Sequence, residues 1–319
     1  MAVPRRRWLI PVTFWLFVLA CFEVGLRVAR FEFNPYAHYS QKDWGVFVEG
    51  RNRVDYLADP DVFWRFIPSR VLMSEFGPGA HINSAGLRGA ELNIAASKAV
   101  YRIVTLGDSG TFGWSVKDDE CYPRRLEAIL NEKLGPGRVE VINGGVPGFT
   151  SLQGVRWFEK HLLNYRPDIV TVAFGGNDPD KLPMSDKDRK LAPSMLKMQE
   201  WILHARIYQF VYKTLAVDLV SHKREDVSKW PERVSVLDFI ANNEKIVELT
   251  KKIGGKVVFI ARPGPRPVEY MGAVEQIAKK HNYPFISDGV FGHPPAADYH
   301  AVAARIADAI MKENWISAK

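Results

Sequence analysis

Cysteine is scarce in this chain. Cys21 and Cys121 are the only two in 319 residues, which excludes a disulfide scaffold and a cysteine-ligated zinc site. Internal repeats and low-complexity tracts are absent, as are the H-E-x-x-H, Walker and G-x-G-x-x-G spacings. Neither a metal site nor a cofactor is therefore expected. The run Gly107-Asp108-Ser109-Gly110-Thr111 lacks the G-x-S-x-G elbow, which argues against an α/β-hydrolase. The net charge of +7 is scattered apart from Arg5, Arg6 and Arg7, so no nucleic-acid partner is expected. What the chain does have is ordinary globular composition, 47% hydrophobic and 25% charged, which excludes wholesale disorder.

No acidic residue precedes Glu23. The three arginines lead into an apolar run over 8–22 that is interrupted only by Pro11 and Thr13. Basic residues followed by a hydrophobic stretch retain the N-terminus in the cytoplasm and send the rest across the membrane. The run is shorter than the ~20 residues a span needs. It lengthens to Val28 if Glu23 sits at the far interface and Arg27 snorkels. No small-x-small cleavage site follows, so an uncleaved single-pass anchor over 1–30 is the preferred reading. A lipoprotein signal ending at Ala20-Cys21 is the second, although Leu19 is poorly suited two positions before a lipidated cysteine. A buried helix of a soluble protein is the third, and it leaves the arginines unexplained. Under the first two readings the body of the chain is extracytoplasmic.

Residues 31–99 are rich in aromatics, Pro, Asn and Gly without periodicity, and are expected to form an irregular prefix packed on a main domain over 100–319. From Tyr101 onwards the pattern changes. Apolar runs at 102–106, 139–142, 168–174, 256–261 and 284–286 read as buried strands. Between them lie 3.6-period faces: Tyr122, Leu126, Ile129, Leu130 and Leu134, stopped by Gly135-Pro136-Gly137, then Leu152, Val155, Phe158 and Leu162. Helices are also expected at 268–281 and 297–311. This alternation implies an α/β fold, a three-layer α/β/α sandwich around a central parallel sheet. The stretch 181–235 breaks the rhythm and is expected to be a helical insertion over the site.

The chemistry-bearing residues cluster just after the predicted strands, where ligands bind in such sheets. Gly107-Asp108-Ser109 follows the first strand and Asn143-Gly144-Gly145-Val146-Pro147-Gly148 the second. Gly175-Gly176-Asn177-Asp178 follows the third, and Asp288 and His293 the last. A serine at a strand-to-helix turn exposes its hydroxyl beside helix-terminal N–H groups. It becomes a nucleophile only with a histidine to take its proton and a carboxylate to orient that histidine. Acyl transfer also needs donors for the oxyanion. Gly148 suits a backbone donor because it admits close approach, and Asn177 offers a side-chain amide. Each residue has a plainer reading: Ser109 as a helix N-cap, Gly148 as a turn residue, Asn177 as a cap. Asp108 and Asp178 are expected to bond loop N–H groups.

At this point the sequence resembles the SGNH (GDSL-type) hydrolases, whose four blocks carry Ser, Gly, Asn and His. Gly107-Asp108-Ser109 matches the first block, with Ser109 as nucleophile. The stretch from Asn143 through Thr150 to Gln153-Gly154 resembles the second, and the family's oxyanion glycine falls on Gly148. Gly175-Gly176-Asn177-Asp178 matches the third, with Asn177 as the third donor. His293-Pro294 looks like the last block. The three early blocks in order, each after a predicted strand, are far more specific than Gly-Asp-Ser alone. Asn83-Ser84-Ala85-Gly86-Leu87-Arg88-Gly89 also looks like a prefix of membrane-anchored bacterial members. One departure stands out: the family usually places Asp three residues before His, whereas Asp288 lies five before His293. His300, with Asp298 near it, is the rival base. Trp114 is a candidate pocket wall or core residue. The remaining histidines show no partner pattern.

The resemblance implies a membrane-anchored, extracytoplasmic serine esterase acting on an acyl ester, with an acetylated cell-surface glycan as the preferred substrate class. Two alternatives remain. One is an O-acyltransferase that hands the acyl group to a sugar hydroxyl at the same site. The other is a catalytically silent assembly module, which the unusual Asp–His spacing favours.

Overall fold

The computed structural model describes residues 6–33, 55–72, 76–92, 100–190, 202, 204–218, 227–261, 268–287 and 292–317. The chain divides into two units. One comprises 1–58 and 191–225, the other 59–190 and 226–319.

In the first unit, helix α1 (Arg6–Val28) carries Pro11 within its first turns. From Pro11 to Val28 it is long and apolar enough to cross a membrane, with a mean hydropathy of 1.6 and only 6% of that window buried. The two charged residues near its end are satisfied locally. The Glu23 carboxylate accepts from the N–H groups of Arg206 (3.1 Å) and Ile207 (2.9 Å), which open the short helix Arg206–Tyr212. An anion at a helix N-terminus is favourable because those N–H groups have no partner within the helix. Arg27 pairs with Glu23 at 2.7 Å and donates to the His204 carbonyl at 2.8 Å. Phe22 and Phe31 set their rings edge-on against Phe210.

The second unit holds the sheet. Strands β1 (Tyr101–Gly107), β2 (Val139–Asn143), β3 (Ile169–Ala173), β4 (Lys256–Ile260) and β5 (Phe285–Ile286) all pair in parallel. Their spatial order is β2-β1-β3-β4-β5. The reversal on either side of β1 puts the switch point, where such folds bind ligands, at the carboxyl ends of β1, β2 and β3. The five expected strands fall on these elements with their ends shifted by a residue or two. Every residue of β3 is buried, because both faces of the sheet are covered.

Six helices complete the layers: α2 (Ser109–Phe112), α3 (Tyr122–Leu134), α4 (Ser151–Trp157), α5 (Val236–Lys252), α6 (Val268–His281) and α7 (Ala296–Lys312). On one face Leu126 and Leu130 of α3 and Val302, Ile306 and Ile310 of α7 pack with Ile103, Ile169 and Val258 in one apolar core. Burying side chains of this size stabilises by roughly 1.5–3 kcal/mol each before conformational entropy is counted. On the other face α4, α5 and α6 pack side by side. Helix α4 starts with a capping box in which the Thr150 side chain accepts from Gln153 N–H and the Gln153 side chain accepts from Thr150 N–H. The helix expected to run on to Leu162 widens after Trp157 into a π turn over Phe158–Leu162. The described residues of the prefix include strand Phe63–Phe66 and an antiparallel pair, Arg70–Val71 with His81–Ile82. Arg88 bridges Asn143 at the edge of β2.

One close approach brings the loop after β2 against α2. A Cβ on Gly145 would lie 2.3 Å from Phe112 N and 2.7 Å from Thr111 C, both backbone atoms. Gly145→Ala is therefore expected to push the turn that carries Ser109 and to destabilise the fold by about 1–3 kcal/mol. Chemical denaturation measures this, and a variant as stable as the wild type refutes the reading.

Candidate active site

Asp108 follows β1 and caps α2. Its Oδ1 accepts from Gly110 N–H at 2.9 Å. Ser109 is thus not the N-cap but the first helical residue, where an N–H has no intrahelical acceptor. Among the described residues nothing accepts from the Ser109 N–H or from the Gly148 N–H. Gly148 has φ +78°, a region open to glycine at no steric cost.

The late histidine reaches this turn. His293 Nε2 lies 2.9 Å from Ser109 Oγ, within hydrogen-bond reach. His293 is exposed, but its ring is supported on one side by Trp114, which stacks on it at 5.3 Å and 21°. Trp114 leans in turn on Phe76 at 4.8 Å. His300 is exposed on α7, and it is His293, not His300, that meets Ser109. Asp288 lies outside the described residues.

Asn177 follows β3. Its Nδ2 donates to the Phe149 carbonyl at 3.0 Å and to Asp108 Oδ2 at 3.3 Å. Two acceptors on one side fix which end of the amide is nitrogen. The bond to Asp108 is the longer of the two. Ser109, Gly148 and Asn177 thus converge from the ends of β1, β2 and β3.

Asp178, next in the chain, is fully buried and braces these loops. Its Oδ1 accepts from Ser151 N–H at 2.8 Å and its Oδ2 from Gly175 N–H at 3.0 Å. Asp178 thus bonds loop and helix-start N–H groups as expected, whereas Asp108 bonds an N–H in the first turn of α2. Burial pushes the Asp178 carboxyl up to about 6, against the opposing pull of those hydrogen bonds and the Arg233 charge.

Three buried groups around the site were given no role by the sequence. Arg233 has a fully buried side chain paired with Asp186, also fully buried, at 3.2 Å. It donates to the Gly148 carbonyl at 2.9 Å. Trp64 donates from its indole to the Pro147 carbonyl at 3.1 Å. Arg88 donates to the carbonyls of Phe112, Gly113 and Val116 and pairs with Asp118. Trp64 and Arg233 are lone residues in irregular stretches, where neither period nor spacing marks them; Arg88 stands in the run Asn83–Gly89, which the sequence marked only as a stretch. A cavity of about 470 Å³ lined by His81, Arg88, Asp118, Glu127 and Asn143 lies elsewhere, and none of Ser109, Gly148, Asn177 or His293 lines it. Among the described residues no His, Cys, Asp and Glu cluster is arranged to hold a metal ion.

Residues 105–310 match the model of the GDSL-like lipase/acylhydrolase family. An arylesterase of Vibrio mimicus is 34% identical over 84 residues, which is 26% of this chain and 41% of that protein. The chain thus spans well under half the length of this curated relative. Among solved structures, a lipase/acylhydrolase from Enterococcus faecalis is 21% identical with a TM-score of 0.42, covering 67% of this chain and 97% of the other. An acetylxylan esterase from Geobacillus stearothermophilus is 17% identical with a TM-score of 0.40, covering 70% of this chain and 100% of the other.

The raised Asp178 carboxyl predicts a specific pH dependence of stability. A group that binds its proton more tightly when folded contributes stability below its ordinary value of 3.8, and this contribution fades as pH rises through about 6. Relative to Asp178→Asn, the wild type is expected to lose on the order of 3 kcal/mol between pH 3.5 and 7. Denaturation at a series of pH values measures the difference between the two proteins, and parallel curves refute the assignment.

Proposed function

The chain belongs to the GDSL-like lipase/acylhydrolase family, and from that premise we propose that it is an extracytoplasmic, membrane-anchored serine esterase. The observation that carries the reading is the 2.9 Å approach of His293 Nε2 to Ser109 Oγ. The neutral imidazole takes the hydroxyl proton as Oγ attacks the ester carbonyl carbon. The carbonyl oxygen becomes an oxyanion held by Ser109 N–H, Gly148 N–H and the Asn177 amide. Collapse expels the alkoxide, which receives the proton from His293, and leaves an acyl ester on Ser109. Water, deprotonated by the same imidazole, then attacks that ester; collapse releases the carboxylic acid and His293 returns the proton to Ser109 Oγ. Trp114, stacked on the His293 ring, holds its plane during both steps. Asp288 is the proposed orienting acid.

The apolar window Pro11–Val28 supports the anchor, and the basic residues before it support an extracytoplasmic body. An acetyl ester on a cell-surface glycan is the proposed substrate class. It draws on the acetylxylan esterase among the structural neighbours by analogy only.

Ser109→Ala and His293→Ala are each expected to lower hydrolysis of p-nitrophenyl acetate by at least about 1000-fold while leaving thermal unfolding near the wild type. A fluorophosphonate probe is expected to label Ser109 alone. Full activity in folded Ser109→Ala, or an unlabelled Ser109 in the wild type, sinks the esterase reading. Hydrolysis of the acetyl ester with and without added glycan separates transfer to a sugar hydroxyl from transfer to water.

A further inference from the structure

The two peptide units that flank Gly148 are each gripped by a buried side chain from a distant part of the chain. Trp64 Nε1 donates to the Pro147 carbonyl at 3.1 Å, and Arg233 Nη1 donates to the Gly148 carbonyl at 2.9 Å. The two grips support each other, since the guanidinium lies 5.8 Å from the centre of the Trp64 ring. Arg233 has little freedom to let go. Its Nε and Nη2 bond Asp186 at 3.2 and 3.3 Å, and Nη2 bonds Gln153 Oε1 at 2.8 Å. Asp186 also accepts from the Thr150 hydroxyl at 2.8 Å. The carbonyl after these, that of Phe149, is taken by Asn177 at 3.0 Å.

A trans peptide carries its C=O and N–H on opposite sides, and no peptide here is cis. Drawing the Pro147 oxygen towards Trp64 therefore turns the Gly148 N–H the other way. Gly148 itself offers no resistance to a peptide flip, because it has no Cβ and sits at φ +78°. A flip would put a carbonyl oxygen where the oxyanion needs a hydrogen. Such donors speed a reaction only when they are held in place before charge develops.

We propose that Trp64 and Arg233 are positioning residues that preset the Gly148 N–H as an oxyanion donor. The proposal rests on the esterase reading above. Neither side chain touches the acyl group. Both act through the backbone of the loop after β2.

The test uses the full chain, p-nitrophenyl acetate and phenylboronic acid, whose boron becomes tetrahedral on Ser109. Trp64→Phe keeps an aromatic ring and removes the indole N–H. It is expected to lower kcat roughly 10-fold, less than the 100- to 1000-fold loss of a whole donor. KM is expected to change by less than about twofold, because the ground-state carbonyl gains little from the N–H. The boronate is expected to bind more weakly by the same factor as kcat. The pH midpoint of kcat stays at the wild-type value, because His293 is untouched. Arg233→Lys is expected to behave alike. If it fails to fold, the paired change Arg233→Met with Asp186→Leu removes both buried charges and serves in its place. A folded Trp64→Phe protein with wild-type kcat and boronate affinity overturns the proposal while leaving the esterase reading intact. Losses in kcat that track only a lowered Tm, with boronate affinity unchanged, also overturn it. A wild type without Ser109-dependent hydrolysis sinks the esterase reading and takes this proposal with it.

Discussion

Everything at the site follows from two backbones lying almost in contact. The loop after β2 passes so close to the turn after β1 that a methyl group at Gly145 would collide with the main chain of Thr111 and Phe112. Two hydrogen bonds hold the contact: Val146 N–H to the Gly107 carbonyl at 3.1 Å, and the Asn143 amide to the Phe112 carbonyl at 3.1 Å. Parallel pairing of β1 with β2 and β3 brings three loop starts to one edge of the sheet. The close approach then sets the loop that carries Gly148 beside the turn that carries Ser109. Without it, Gly148 and Ser109 would merely belong to adjacent loops.

The loops that meet here are also tied together by buried charge. Arg88 and Arg233 are both almost completely buried; Arg88 gives most of its donors to main-chain carbonyls, whereas Arg233 gives one to the Gly148 carbonyl and the others to Asp186 and Gln153. A buried cation is expensive unless paired and fully hydrogen-bonded. Each has its carboxylate, Asp118 for Arg88 and Asp186 for Arg233. Such pairs add little net stability. They do specify one loop conformation over its competitors, because any other arrangement strands a charge. Asp178 works in the same way from the β3 side, with two loop N–H groups bound to one carboxyl.

Much of this architecture was legible along the chain. A strand buried on both faces is apolar along most of its length, so 102–106, 139–142 and 168–174 announced themselves and the structure moved only their ends. Motif order worked for a related reason: parallel strands place each following loop at the same sheet edge, so Ser109, Gly148 and Asn177 were bound to be near one another. The preference for His293 over His300 rested on the His293-Pro294 pair alone. Both follow the last strand, and the Asp–His spacing fitted neither well. Only the path of 292–296 into α7 carries one imidazole to Ser109 and leaves the other on the exposed helix surface.

What the sequence determined by itself is local and periodic. It includes the strand and helix succession, the apolar N-terminal helix, and a serine, a glycine and an asparagine at successive strand ends. Tertiary structure alone decided which side chains grip the loop that holds Gly148. Trp64 and Arg233 lie far from it in sequence, and each acts through one hydrogen bond to a carbonyl. Every residue carries a carbonyl, so nothing in the identity of Pro147 or Gly148 advertises which donor will reach it. That depends on where the folded chain places an indole and a guanidinium, a long-range geometric fact with no imprint on local composition.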